Sequence, residues 1–222
     1  MNSRPPARTA QQGVSMIEVL ITLVVFSIGL LSVAGLQTIS KKSNYDAMQR
    51  TQASILAMDM LERMRANSTA LSSYVTSDAG AEATPSVLCD ATACNPAQLA
   101  AWDIYEWARS LEGYAEWDSS ASGCSSNTGD KPECAAGGLA APTGCIEALG
   151  SGAYQVVIAW RGVTAQPEPV AGDTTDPRND STCGNGAADP LDNTELAYDD
   201  PDESGDDNRM KRIIVMKSHI NG

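Results

Sequence analysis

The chain has 222 residues, a formal net charge of −13 and a single histidine, His219. So acidic a chain is a poor match for nucleic acid or an anionic membrane surface, both of which call for clustered Lys and Arg. One histidine leaves no Ser-His-Asp or Cys-His arrangement, and no glycine motif cradles a phosphate. The many acidic residues leave a carboxylate-pair hydrolase open, but nothing singles out a pair.

The first segment, Met1 to Gln12, is polar and carries Arg4 and Arg8 with no acidic residue. Gly13 follows, and then an apolar run from Val14 to Ile39 in which Glu18 is the only charged residue. A bilayer needs roughly 20 apolar residues in a helix, so this run is long enough to span one. A carboxylate inside such a segment costs about 2.5 kcal/mol or more, which marks Glu18 as functional rather than incidental. A secretory signal peptide also begins basic, but its apolar segment is discarded at a small-residue site beyond it. Here the glycine stands before the apolar run, so cleavage after Gly13 leaves the hydrophobic helix at the new N-terminus. Arg4 and Arg8 favour an inside N-terminus, weakly opposed by Lys41 and Lys42, and the remainder is then exported.

No proline or glycine interrupts Lys41 to Asn67. The expected element is one helix from Val14 to Ala66, about 80 Å long at roughly 1.5 Å per residue. In its second half Met48, Ile55, Met58, Leu61 and Met64 suggest an apolar stripe that packs on a folded domain. Gly29 and Gly35 weaken the first half by about 1 kcal/mol each relative to alanine. They suit either local bending or close helix packing. Ser68 to Ala93 reads as loop. A second helix has clear start signals in Asn95 as N-cap, Pro96 at the first position and Gln98 three residues after the cap. Ala100, Ile104, Trp107, Ala108 and Leu111 line one face, and Gly113 ends the helix. Trp102, Trp107 and Trp117 read as core packing in a chain with one phenylalanine.

Gly123 to Gly150 reads as a Gly- and Cys-rich loop region held by disulfides. Tyr154 to Arg161 is the strongest strand, Met210 to Lys217 the second, and Cys145 to Leu149 a possible third. The first two are expected to pair antiparallel against the long helix. Between them lies a polar insertion, Val163 to Asn208, dense in Asp, Pro and Gly. Within it Asp200-Pro201-Asp202-Glu203-Ser204-Gly205 resembles the opening of a calcium loop, with Asp206 and Asn208 as further oxygens. Lys211 stands where an EF-hand needs a bidentate glutamate, so a solvated acidic loop is the reading and no metal site is expected.

Six cysteines, Cys89, Cys94, Cys124, Cys134, Cys145 and Cys183, all follow the apolar run. None has the spacing of a zinc site, and disulfides formed in an oxidising periplasm are the expectation. Spacing favours Cys89 with Cys94 and leaves the other pairings open.

The combination of basic leader, Gly13, apolar helix and Glu18 at the fifth position beyond the glycine resembles the class III signal of type IV pilins and pseudopilins. That resemblance implies cleavage after Gly13 by a prepilin peptidase and N-methylation of Val14, where the family most often has phenylalanine. It also implies an assembly role for Glu18, pairing with the N-terminal ammonium of a neighbouring subunit or of its own chain. Beyond the signal, Ala57 to Asn67, then Cys89 and Cys94 before the Trp-rich helix, and the strand Tyr154 to Trp160 resemble minor pilins of the PilV group, also called type IV pilus modification proteins. The implied organisation is a leader over 1–13, a transmembrane and assembly helix over 14–40, and a periplasmic pilin-like domain over 41–222 that includes an amphipathic helix over 41–66. The fold class is then α+β, a long N-terminal helix packed on a small antiparallel sheet with disulfide-stabilised loops. A minor pilin of this kind needs no cofactor, partners other minor and major pilins, and helps initiate assembly at the pilus tip, where it presents an adhesin. It resides in the inner membrane before assembly and on the pilus afterwards. Two alternatives share parts of the pattern: a pseudopilin of a type II secretion system, and a periplasmic enzyme or binding domain anchored by one helix. Glu18 argues against the latter, since a plain anchor gains nothing from a buried acid.

Overall fold

A computed structural model describes residues 13–79, 84–114, 135, 137–167, 173, 175–185, 198 and 209–220. The first helix, α1, covers Met16–Ala66. The chain divides into two compact units, Met1–Ser43 and Asn44–Gly222, and α1 contributes to both. In the first unit the described residues are the apolar N-terminal part of α1 and the three residues before it.

The second unit has the α+β order expected. A 3-10 helix, Ser68–Tyr74, follows α1, and then come α2 (Pro96–Glu112), β1 (Thr143–Gly150), β2 (Ala153–Arg161), α3 (Pro177–Asp180) and β3 (Lys211–His219). The strands form one antiparallel sheet in the order β1-β2-β3. Ser151 and Gly152 turn β1 into β2 with φ of 52° and 78°. Two successive positive φ values are those of a type I′ hairpin turn, whose twist matches that of the strands.

The part of α1 in this unit buries Leu61 and Met64 of the stripe that the spacing suggested, but not its first three members. Gln49, Ala53, Ala57, Met60, Leu61 and Met64 are buried, whereas Met48, Ile55 and Met58 remain 63%, 58% and 52% exposed. Three-residue steps rotate backwards by about 60° each on a helix of 3.6 residues per turn, so a run of them spirals around the axis instead of holding one face. The true face follows the four-residue steps from Gln49 through Ala53 to Ala57 and is rich in small residues. Those alanines pack against Trp107, Leu111, Ile146, Val156, Ile158 and Trp160 in one core shared by α1, α2 and the inner face of the sheet. Each fully buried Met or Ile side chain in it contributes about 1.5–3 kcal/mol.

Helix α2 begins and ends where its signals stand. The Asn95 carboxamide oxygen accepts from the Gln98 main-chain N–H at 2.9 Å, and the Gln98 side-chain oxygen accepts from the Asn95 N–H at 3.0 Å. Gly113 closes the helix at φ 86°, with a Cβ there placed 2.0 Å from the Gly137 carbonyl carbon. The whole expected face, Ala100, Ile104, Trp107, Ala108 and Leu111, is buried. Trp102 is only half-buried and tilts against Tyr105, with ring centroids 5.7 Å apart, so it is not a core residue. Trp117 lies outside the described residues.

Two further expectations are corrected. Ser68 to Ala93 is not all loop, because Ser68–Tyr74 is helical and buries Leu71 and Tyr74. Nor does Gly123 to Gly150 depend on disulfides alone: Thr143–Gly150 is a strand whose Cys145 and Ile146 are buried between layers. The insertion after β2 is more than solvated surface. Its Cys183 and Tyr198 cover the outer face of the sheet, packing with Cys145 and Val157 and with Ala159 respectively. The calcium-loop resemblance at Asp200 to Asp206 and Asn208 lies outside the described residues.

Candidate functional site

Gly13, Val14 and Ser15 precede α1 without regular structure and are exposed. Glu18 sits in the first turn, where its main-chain N–H donates to the Ser15 carbonyl at 3.0 Å. An acid in the first turn suits the positive end of the helix dipole. From Val14 to Ile39 the apolar side chains are exposed, among them Leu23, Phe26 and Leu31. This is the one helix among the described residues long and apolar enough to cross a membrane.

The polar groups within this stretch are handled in two ways. The hydroxyls of Thr22, Ser27, Ser32 and Thr38 all donate back to carbonyls three or four residues earlier, at 2.9, 2.7, 3.0 and 3.2 Å. Bonds made within the helix lower the cost of placing a hydroxyl in hydrocarbon. The Glu18 carboxylate has no such bond: among the described residues it has no hydrogen-bond or ion-pair partner. This stretch therefore carries one charged side chain with no counter-charge among the described residues. The basic leader up to Gln12 lies outside the described residues.

Beyond the helix, a buried polar junction ties the end of α1 to the 3-10 helix and α2. The Arg63 guanidinium donates to Asp59 at 2.8 Å and to Asp103 at 3.1 Å. The Tyr74 hydroxyl donates to the other Asp103 oxygen, and the Asn67 carboxamide donates to Tyr74 at 3.2 Å and to the Pro96 carbonyl at 2.7 Å. Burial, and then the bond to Asp103, push the Tyr74 hydroxyl above its ordinary pKa, so it stays a donor at physiological pH. Sequence reasoning missed this junction, since no local pattern links Asn67, Tyr74 and Asp103.

All four described cysteines are bridged, Cys89 to Cys94 and Cys145 to Cys183. The second bridge ties β1 to the insertion, a pairing that spacing left open. Cys124 and Cys134 lie outside the described residues. Among the described residues no group of His, Cys, Asp and Glu is arranged to hold a metal.

An exposed apolar helix with one acid in its first turn thus runs into a small disulfide-bridged α+β domain. Residues 8–34 match the prokaryotic N-terminal methylation motif, and residues 35–105 match the family model described as Type IV pilin Tt1218. Over residues 8–105 the chain is thus similar to type IV pilins that carry a prepilin methylation motif. The two matches adjoin and end within α2, before the sheet. No curated protein and no solved structure matches the chain.

Proposed function

We propose that this chain is a minor pilin of a type IV pilus, of the PilV group, which helps initiate assembly at the pilus tip and presents an adhesin there. Residues 1–13 are the leader, 14–40 the transmembrane and assembly helix, and 41–222 the periplasmic domain, with 41–66 as its amphipathic helix. Prepilin peptidase cuts after Gly13 and methylates Val14. Glu18 then pairs with a Val14 ammonium as subunits dock among other minor and major pilins. Before assembly the chain lies in the inner membrane with its N-terminus inside, and its work is structural rather than catalytic.

The observation that carries this reading is Glu18. It is the only charged side chain from Val14 to Ile39, and among the described residues it has no ion-pair partner. A lone carboxylate in hydrocarbon is costly unless an opposite charge meets it, and a processed N-terminus at Val14 supplies that charge four residues before Glu18. The family match over residues 35–105 favours a pilus over a secretion pseudopilin, because the methylation motif alone serves both. Mass spectrometry of membrane-extracted protein tests the processing step. A mature chain beginning at N-methylated Val14 supports it; an intact Met1 terminus, or loss of the whole apolar segment, overturns it.

A further inference from the structure

In this strongly acidic chain, one cleft of the Asn44–Gly222 unit collects cations. A space of about 460 Å³ at the edge of β3 is lined by Arg50 of α1, Trp160 of β2, Arg178 of α3, and Lys211 and Arg212 of β3, together with Asp173 and Asp176. The commitments of these groups are unequal. Both acids are already used: Asp173 accepts from Thr175 through its N–H at 2.8 Å and its hydroxyl at 2.6 Å, and Asp176 caps α3 and chelates the Arg178 guanidinium.

The donors, by contrast, are left over. Arg212 gives Nη2 to the Thr164 carbonyl at 2.6 Å and to its hydroxyl at 3.2 Å, and lies 3.8 Å from Asp46, but its Nη1 is buried without an acceptor among the described residues. The Trp160 side chain is 2% exposed, and its indole N–H also lacks an acceptor among the described residues. Trp160 and Arg212 are direct partners across β2 and β3, so these two orphan donors share one face of the sheet edge. Arg50, one element away, is exposed and has no ion-pair partner among the described residues. A buried donor without an acceptor forfeits about 1–3 kcal/mol, so two at one place are not neutral packing.

Chemistry of the ligand follows from this imbalance. Four cations, Arg50, Arg178, Lys211 and Arg212, against two engaged acids disfavour a metal ion here and suit a group that only accepts. The donors come from α1, β2 and β3, and so approach from several sides, which fits a tetrahedral oxyanion with several acceptor atoms better than a planar carboxylate. We infer that this cleft binds a phosphate- or sulfate-type oxyanion, held by Arg212 Nη1, the Trp160 indole N–H and Arg50. Lys211 adds to the field, its ammonium donating to Asn185 at 2.6 Å. Burial, and then the neighbouring Arg178 charge, lower its pKa to about 8, as befits a cation short of counter-charge. Gly162 makes room for the arrangement, because a Cβ there would stand 2.6 Å from the Arg212 guanidinium carbon.

The test is a titration of the full chain in neutral maltoside micelles with inorganic phosphate at constant ionic strength, read at the indole N–H resonance of Trp160. A saturable shift with phosphate and sulfate, absent with acetate and chloride, is expected. Arg212→Gln should weaken binding by about tenfold or more, the loss of a charge-assisted bond, and Arg50→Gln by a smaller factor. Gly162→Ala keeps every charge and displaces only the tip of a flexible side chain, so it too should weaken binding while the disulfides and circular dichroism stay unchanged. Glucose 6-phosphate binding more tightly than inorganic phosphate, with glucose silent, assigns the site to a phosphate ester on a glycan; weaker binding assigns it to the free ion. No saturable shift, or an affinity unchanged by both Arg212→Gln and Gly162→Ala, overturns the inference.

Discussion

Trp107 donates its indole N–H to the main-chain carbonyl of Leu56 at 2.9 Å, so the largest fully buried side chain of the domain is bonded to α1 and not merely packed on it. That bond needs the ring to reach the helix backbone, which the small side chains of Ala53 and Ala57 permit. Gly144 of β1 does the same from the other side, since a Cβ there would stand 2.5 Å from the indole ring.

Enlarging this contact should therefore destabilise the domain. Ala57→Leu forces extra methylenes into a closed core and should cost about 1–3 kcal/mol, or more if α1 must shift. Ile55→Ala and Met58→Ala, two residues before and one residue after but exposed, should stay within about 0.5 kcal/mol. Urea unfolding of the three variants decides it. Equal losses at all three would mean that the buried face of α1 has been misplaced.

The two described bridges should differ in worth. Cys145–Cys183 spans 38 residues and Cys89–Cys94 only 5. Loop-closure entropy then assigns the first about 4 kcal/mol and the second about 2 kcal/mol. Paired Cys→Ala variants measured by urea denaturation without reductant should keep that order. Thiol labelling of unfolded, unreduced protein should find no reactive cysteine at these four positions.

How much of this was legible from residues alone depends on the range of the interaction. Helix α2 was readable to the residue because Asn95, Pro96, Gln98 and Gly113 act on their own neighbours. The strands at Tyr154 and Met210 were readable from local β-branched runs. The buried face of α1 was not, because alanines contribute little to an apolar pattern and become core only when Trp107 arrives from 50 residues further on. The Asn67, Tyr74 and Asp103 junction was hidden for the same reason, as each member is polar and finds its partner only after folding. Glu18 was conspicuous because a charge in an apolar run needs no tertiary context to stand out. Trp160 and Arg212 were unreadable as donors, since their vacancy exists only in the assembled cleft.

Lys211 gives the domain a pH signature. Its pKa is lowered from 10.5 to about 8 by burial first and Arg178 second, so between these values the unfolded chain holds a proton that the folded chain has released. Stability should therefore rise with pH above about 8. Tyr74 and Tyr198 act oppositely, since burial raises both hydroxyls above the ordinary value of 10.0 and unfolding then releases protons above that point. The rise should show between about pH 8 and 9.5 and fade beyond. Lys211→Met should flatten it. A slope of the same size in that variant would assign it to other groups.

The central claim is that Glu18 is an assembly residue, and the most direct measurement is the amount of this protein in sheared pili from cells carrying Glu18→Ala or Glu18→Gln. Replacing the acid should ease simple membrane insertion, since it removes a costly charge from hydrocarbon. Assembly should nevertheless suffer, because the Val14 ammonium loses its counter-charge as subunits dock. The account predicts normal cleavage after Gly13 and a normal membrane level, with both variants depleted from sheared pili or fewer pili at the surface. Incorporation and piliation equal to the parent in both variants would contradict it.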